Sequence, residues 1–304
     1  MAIPATSGAV QYSGTFVPEV WSGKINYKFY DASTVQAITN SNWEGEVKNV
    51  GDKVIIRQKP DIVITDYEKY GVLPTQHPDA PTLELLVDRA KAFSAQVDDI
   101  DAHQSDVNLM NMFSEDASEQ MKIVIDTEVL GEIYADASAE NVGTTAGRKS
   151  GNINLGTTGS PVALTKVNVI DYIVDLGQVL DEQNVPETGR WMVIPAWFRS
   201  LIMKSDLKDA SLTGDGKSIL RNGRIGMIDR FELYSSNLLP TYAADSATYI
   251  MAGQKSSTTF AAQLAKVRYK EPSQTFGQLI QGLNVYGFKV NKPEALAVLY
   301  ATKG

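Results

Sequence analysis

No cysteine occurs among the 304 residues. That absence excludes disulfides, thiolate metal sites and a cysteine nucleophile together. Histidine is almost as scarce, with His77 and His103 the only two. No apolar run approaches the roughly 18–20 residues needed to cross a bilayer. The opening Met1-Ala2-Ile3-Pro4-Ala5-Thr6 lacks the basic and apolar regions of a secretory signal. A cytoplasm, or something assembled in one, is the expected setting. Positive charge is also short: 28 Lys and Arg face 36 Asp and Glu, a formal net charge of −8. Composition therefore offers no general attraction for phosphate backbones or anionic lipid.

What is present suits a globular chain. Hydrophobic residues make up 43%, and the length allows about two ordinary domains. Residues 1–45 are rich in Ser, Thr, Gly and isolated aromatics such as Tyr12, Trp21 and Trp43, with a helical hint at Val20–Phe29. They read either as an extended arm whose aromatics anchor on other surfaces or as a cap on their own domain. Lys53-Val54-Ile55-Ile56-Arg57-Gln58-Lys59 alternates charged and apolar positions, and Leu83–Val97 supplies a long returning partner. Between them, Tyr67–Thr82 carries Pro74, Pro78 and Pro81. A two-stranded ribbon of this kind is marginal alone in water, because it has no second layer on which to bury its apolar face. Another copy of the chain is the expected support.

A helix is expected over Gln104–Asp136, with a stripe at Val107, Met110, Phe113, Ala117, Met121, Val124, Ile125 and Val129. Its polar side carries Glu115, Asp116, Glu119, Lys122, Asp126 and Glu132. At 1.5 Å per residue it spans roughly 45–50 Å, a spine across one layer. Ala139–Val162 turns to Gly, Thr, Ser and Asn and reads as a flexible linker at a domain boundary. A second helix follows at Lys166–Gln183, with Val169, Tyr172, Ile173, Leu176, Val179 and Leu180 on one face, closed by Asn184-Val185-Pro186. Trp191–Ile194 reads as a buried strand, with Pro195 at the first position of a helix over Ala196–Lys204. Further strands are expected at Phe231–Tyr234, Tyr249–Ala252, Phe260–Ala262, Val267–Tyr269, Leu279–Val290 and Ala295–Ala301. The class is α+β, without βαβ repetition or internal repeats.

Chemistry-bearing patterns fail one by one. Gly214-Asp215-Gly216-Lys217-Ser218 ends like a phosphate-binding loop, but Ser211 stands where that pattern needs its first glycine and no strand leads directly into it. A surface loop is the plainer reading. Asp99, Asp101 and His103 resemble the start of a calcium loop, yet Gln104 replaces the required Gly and Met110 the required Glu. Asp101 or Ser105 capping the spine helix explains the cluster more simply. Neither histidine has a nucleophile context, and His77 lies in the Pro-rich tip. Carboxylate pairs such as Glu44/Glu46 and Asp98/Asp99 have no spacing that selects hydrolysis over solvation. No catalytic, cofactor-binding or metal-ligating residue is assigned.

The order of arm, ribbon, spine, Gly/Thr loop and α/β region resembles the major capsid protein of tailed bacteriophages, the Hong Kong 97-type fold. Val87–Phe93 running into Val97–Asp101 with Gln104 looks like its return strand and spine entry, and Trp191–Trp197 like its axial strand-to-helix step. Gly223–Asn237 is similar to its glycine-bearing loop and strand, and Val285–Val290 with Lys292–Leu296 to its C-terminal end. The resemblance implies an N-terminal arm at 1–45 and an extended loop at 46–98. It further implies a peripheral domain at 99–165 and 265–291 and an axial domain at 166–264 and 292–304. It also implies a non-enzymatic subunit that self-assembles, as pentamers and hexamers, into an icosahedral virion shell enclosing double-stranded DNA, built in the host bacterial cytoplasm. Some relatives carry a scaffold segment of about a hundred residues before the arm, so a separate scaffolding protein is expected here, with a portal and a decoration protein as further partners. No lysine–asparagine cross-linking pair can be matched. An encapsulin-like nanocompartment shell keeps the same fold, and a nucleotide-binding enzyme built on Gly214–Ser218 is the alternative of another class.

Overall fold

The computed structural model describes residues 33–42, 53–60, 62–72, 75–99, 109–205, 227–272 and 275–304. In chain order these form α1 (Val35–Ile38), β1 (Lys53–Arg57), β2 (Thr82–Leu86), β3 (Arg89–Val97) and the spine helix α2 (Leu109–Ile133). Then come β4 (Val162–Leu164), α3 (Val169–Glu182), β5 (Arg190–Ile194), α4 (Ala196–Lys204), β6 (Met227–Ile228), β7 (Phe231–Ser235) and β8 (Thr241–Tyr242). The chain closes with β9 (Ala247–Gln254), β10 (Thr258–Lys270), β11 (Gln278–Val290) and β12 (Leu296–Lys303).

A mixed sheet in the order β4-β12-β9-β5-β7-β6, with β8 also paired to β9, carries the main core. Its central strands read as unbroken apolar runs because both faces are covered. Met192 and Ile194 of β5, Ile250 of β9 and Leu299 of β12 pack against α3 and α4. Trp191, Val193, Met251 and Val298 pack on the other side with Ile125, Val129 and Ile133 of the spine. The expected face of α3 is buried at Val169, Ile173, Leu176, Val179 and Leu180, with Tyr172 packed at its edge.

Several expectations need correction. The returning run is two strands, not one: β2 pairs with β1, while β3 leaves the ribbon for a second sheet ordered β10-β11-β3. Phe260–Ala262 and Val267–Tyr269 belong to one strand, β10, whose register shifts at a bulge between Ala262 and Leu264. Pro195 is the residue before α4, its carbonyl accepting from Phe198 and Arg199. Ala139–Val162 is no linker. Ala146 and Ile153 pair across a bridge, Ile153 and Leu155 enter the core, and Glu182 accepts from the backbone N–H of Lys149 and Ser150. The glycines there supply tight turns, such as Gly156 at φ 77°, instead of slack.

On the spine, Phe113 and Val124 are 37% and 46% exposed, while Asp126, expected on the polar side, is buried. The seam that the sheet covers runs through Ile125, Val129, Leu130 and Ile133, after which the chain tightens into a 3₁₀ turn at Tyr134–Asp136. The expected start of this helix, including Asp101 and Ser105, lies outside the described residues.

Candidate assembly surface

The ribbon root lies on its own chain. Alternation in β1 and β2 points Val54, Ile56, Leu83 and Leu85 inward, where they join Val87, Ala261 and Val285 in a separate apolar cluster. The expectation that the whole ribbon waits for another copy is therefore corrected at its root. The underlying β10–β11 hairpin already supplies the second layer that two strands need. The outer face pairs Lys53 with Leu86, Ile55 with Glu84 and Arg57 with Thr82, and Lys53 also reaches Glu84 at 3.1 Å.

Where β2 turns into β3, the main chain touches β11. A Cβ on Gly287 would stand 1.9 Å from the Leu86 carbonyl oxygen. No side chain fits there. Arg89 and Lys91, the next residues on β3's inner face, both donate to Glu128 of the spine, and Arg89 also meets Glu132 at 2.6 Å. The Tyr286 hydroxyl donates to Glu128 at 2.9 Å, and the Arg89 guanidinium lies 4.4 Å from the Phe288 ring centre. Burial works to raise the Glu128 carboxyl, but hydrogen bonds from Lys91, Arg89 and Tyr286 outweigh it and hold it below the usual carboxylate range. Burial and Glu128 together push the Tyr286 hydroxyl well up. This anchor escaped sequence reading, although basic residues at alternate positions 89 and 91 were a visible signal of one charged strand face.

Beyond the root, the tip has little to lie on. Ile64, Tyr70 and Val72 are 89%, 90% and 97% exposed, and Ile62, Val63 and Tyr67 are exposed too. An apolar surface left this open marks an interaction site. The tip is nevertheless shaped. The Gln76 side chain accepts from the Val63 N–H at 3.0 Å and donates to its carbonyl at 2.6 Å, and Gly71 N–H closes a turn on the Glu68 carbonyl. His77 and Pro78 sit exposed on the returning limb.

Residues 33–42 behave as a cap on their own domain. Val35 and Ile38 are buried under the spine, and Asn40 bridges Thr259 at the start of β10. Asp126 accepts from the backbone N–H of Thr34 at 2.6 Å and of Val35 at 3.3 Å. The arm's aromatics Tyr12, Trp21 and Trp43 lie outside the described residues, as do Glu44 and Glu46.

Gly214–Ser218 and His103 likewise lie outside them, and Asp99 sits exposed at the end of a described segment. Among the described residues, no group of three or more His, Asp or Glu side chains could hold a metal ion, and no helix is long and apolar enough to cross a membrane. The ribbon thus presents an exposed apolar tip on an anchored root.

Comparison with known proteins points the same way. No curated protein matches the chain in sequence. Its fold is similar to a structure from Mycobacterium phage Che8 (TM-score 0.75, 23% identity, covering 93% of this chain and 97% of that one). It is similar also to the capsid of cyanophage P-SCSP1u (TM-score 0.70, 14% identity, 95% and 94% covered). A third likeness is to the capsid of a native GTA particle (TM-score 0.64, 14% identity, 95% and 96% covered). The model of a family described as "Phage capsid protein" matches residues 83–299, from the returning ribbon strand to the last strand. With that span covering well over half its length, the chain belongs to the phage capsid protein family: it is a structural major capsid subunit with the Hong Kong 97-type fold.

Proposed function

We propose that this subunit closes with its copies into an icosahedral virion shell of pentamers and hexamers around double-stranded DNA, through the ribbon tip seated on an adjacent subunit. The observation that carries this is the tip itself: Ile64, Tyr70 and Val72 are almost wholly exposed on a ribbon whose root is firmly anchored. A closed shell needs heterologous contacts that close by symmetry, and a projecting arm on a rigid root supplies them. Obligate interfaces of this kind commonly exceed about 2,000 Å².

In this reading residues 1–45 form the arm, 46–98 the extended loop, 99–165 with 265–291 the peripheral domain, and 166–264 with 292–304 the axial domain. The role is non-enzymatic. A separate scaffolding protein, a portal and a decoration protein complete the assembly, which takes place in the host cytoplasm. The net charge of −8 suits a container that releases its DNA, since strong phosphate contacts would resist ejection.

Replacing Ile62–Ala80 by a short turn leaves the root intact. That variant should give soluble, folded subunits and no closed particles under the electron microscope. Normal particles from it would overturn the proposal.

A further inference from the structure

The two faces of the second sheet treat positive charge in opposite ways. On the spine side, Arg89 and Lys91 are neutralised by Glu128 and Glu132. The other face carries Lys266, Arg268 and Lys270 of β10, all exposed, and none of them has an ion-pair partner among the described residues. The rows they head run through Leu283, Gln281 and Leu279 of β11 to Ala92, Ser94 and Gln96 of β3, and these rows contain no carboxylate. The chain has 36 acidic residues, so their exclusion here sets the sign of what this face can receive. Like charges held side by side repel, and an anionic partner relieves that cost.

The geometry suits a chain of phosphates. Alternate residues on a strand repeat at roughly 6.6–6.8 Å, so the three cations form a row about 13 Å long, close to the spacing of successive phosphates along a nucleic-acid strand. Arg268 is held in that row. Its Nε donates to Gln281 Oε1 at 2.9 Å, and the Gln281 amide donates on to Ser94 Oγ at 3.5 Å. The two terminal guanidinium nitrogens have no partner among the described residues and leave a fork that fits phosphate oxygens. Beside Lys266 and Arg268 lies an open groove of about 370 Å³ over Ala92, Ser94 and Gly282. Small residues there let a backbone come close.

We infer that this face lies against the phosphate backbone of the enclosed double-stranded DNA, with Lys266, Arg268 and Lys270 each on a phosphate. The inference rests on the shell reading and adds to it which face of the sheet looks inward. Contacts of this kind position DNA without reading its sequence. Three per copy, screened by salt, hold the outermost duplex in place. The net charge of −8 keeps the subunit as a whole repulsive to DNA, so release is not resisted.

The test compares the full chain with K266Q/R268Q/K270Q, and thermal melting of the unassembled subunits checks that the variant folds. In fluorescence anisotropy at low salt, wild-type subunits should bind a labelled duplex of about 30 bp, and log affinity should fall against log salt with a slope of about −2.7 for three phosphates. The variant should bind at least tenfold more weakly, with a slope near zero. In DNA-filled particles, a benzophenone amino acid in place of Ser94 should couple to DNA under ultraviolet light. Coupling to another subunit instead, or loss of closed particles in the variant, would make this face a contact between copies and overturn the inference. Equal duplex binding by the two proteins would overturn it as well. If the wild-type protein forms no particles at all, the shell reading falls, and the duplex measurement still decides whether this face takes a phosphate backbone.

Discussion

Asp126, in the C-terminal third of the spine helix, accepts a 2.6 Å hydrogen bond from the backbone N–H of Thr34, 92 residues earlier in the chain. With its 3.3 Å bond from Val35 it caps the short helix α1 from outside that helix. Asp126→Ala should leave two buried N–H groups unpaired and lower stability by about 2–4 kcal/mol. Asp126→Asn keeps an acceptor and should lose less than half of that. Burial pushes the Asp126 carboxyl up, against the lowering effect of bonds from Thr34, Ser33 and Val35. Its folded pKa then exceeds the unfolded one, so its contribution is full at low pH and is lost as pH rises through the folded value. Wild type should gain on Asp126→Asn as pH falls, measured by urea unfolding at several pH values. A constant gap would show the carboxyl unperturbed.

Glu128, two residues on, has the opposite sign. Despite its burial, Lys91, Arg89 and Tyr286 hold its carboxyl low, so its stabilisation is present above the unfolded pKa and is lost as pH falls through the folded one. Glu128→Gln should loosen the ribbon root by about 1–2 kcal/mol, discounted because the lysine and arginine are partly exposed. Hydrogen exchange should speed up in Thr82–Val97 at neutral pH, and acid should produce the same change in wild type. Unchanged exchange in the variant would assign the anchor to apolar packing alone.

These two carboxylates also show where sequence reading stops. Both sit on one helix, and composition cannot say which acid faces inward. Positions 124 and 126 lie about 200° apart on a helix of 3.6 residues per turn, and it is Asp126 that is buried and Val124 that is exposed. The stripe of α3 was legible because it alternates sharply with Asp171, Asp175 and Asp181. The split between β2 and β3 was not, since the alternation continues through Val87 while the strand changes sheets. Ala139–Val162 looked like a linker because Gly, Thr and Ser dominate it. The signal of a packed loop was there in Ile153 and Leu155, two apolar residues at strand spacing. The ribbon and its tip were readable as a projection, but the root's support on Ala261 and Val285 depends on a tertiary contact some 200 residues away in sequence.

Two glycines give a matched pair of tests. A Cβ on Gly287 would collide with the Leu86 carbonyl and lie 2.9 Å from the Val87 Cα, both backbone atoms that cannot rotate away. Gly287→Ala should push the ribbon off β11 and cost at least 2 kcal/mol, about the upper range for overpacking. Around Gly131, in the last turns of the spine, a Cβ would meet nothing within 4 Å. Gly131→Ala should stabilise the isolated subunit by about 0.5–1 kcal/mol through helix propensity. Differential scanning calorimetry of the two variants should move the transition in opposite directions. Equal shifts would mean the ribbon root yields freely at Leu86.

Arg190 is the most deeply buried cation described, its side chain wholly inside the protein. Helix α3 ends with Asn184 at φ 57°, and the N–H of Val185 returns to the Leu180 carbonyl in a Schellman closure. That leaves the Val185 and Pro186 carbonyls turned inward, and the guanidinium fork takes both, at 2.7 and 3.1 Å, while also holding Asp181 at 2.6 Å. Lysine cannot reproduce the fork. Arg190→Met should therefore lose about 3–4 kcal/mol, and Arg190→Lys most of the same, because buried carbonyls are left without donors. Arg230 shares Asp181 from the surface, where it is 34% exposed, and Arg230→Ala should lose less than about 1 kcal/mol. Chemical denaturation of the tip-shortened subunit separates these outcomes without interference from assembly. Equal losses at the two arginines would place the stabilisation in the ion pairs with Asp181 and not in the carbonyls at the end of α3.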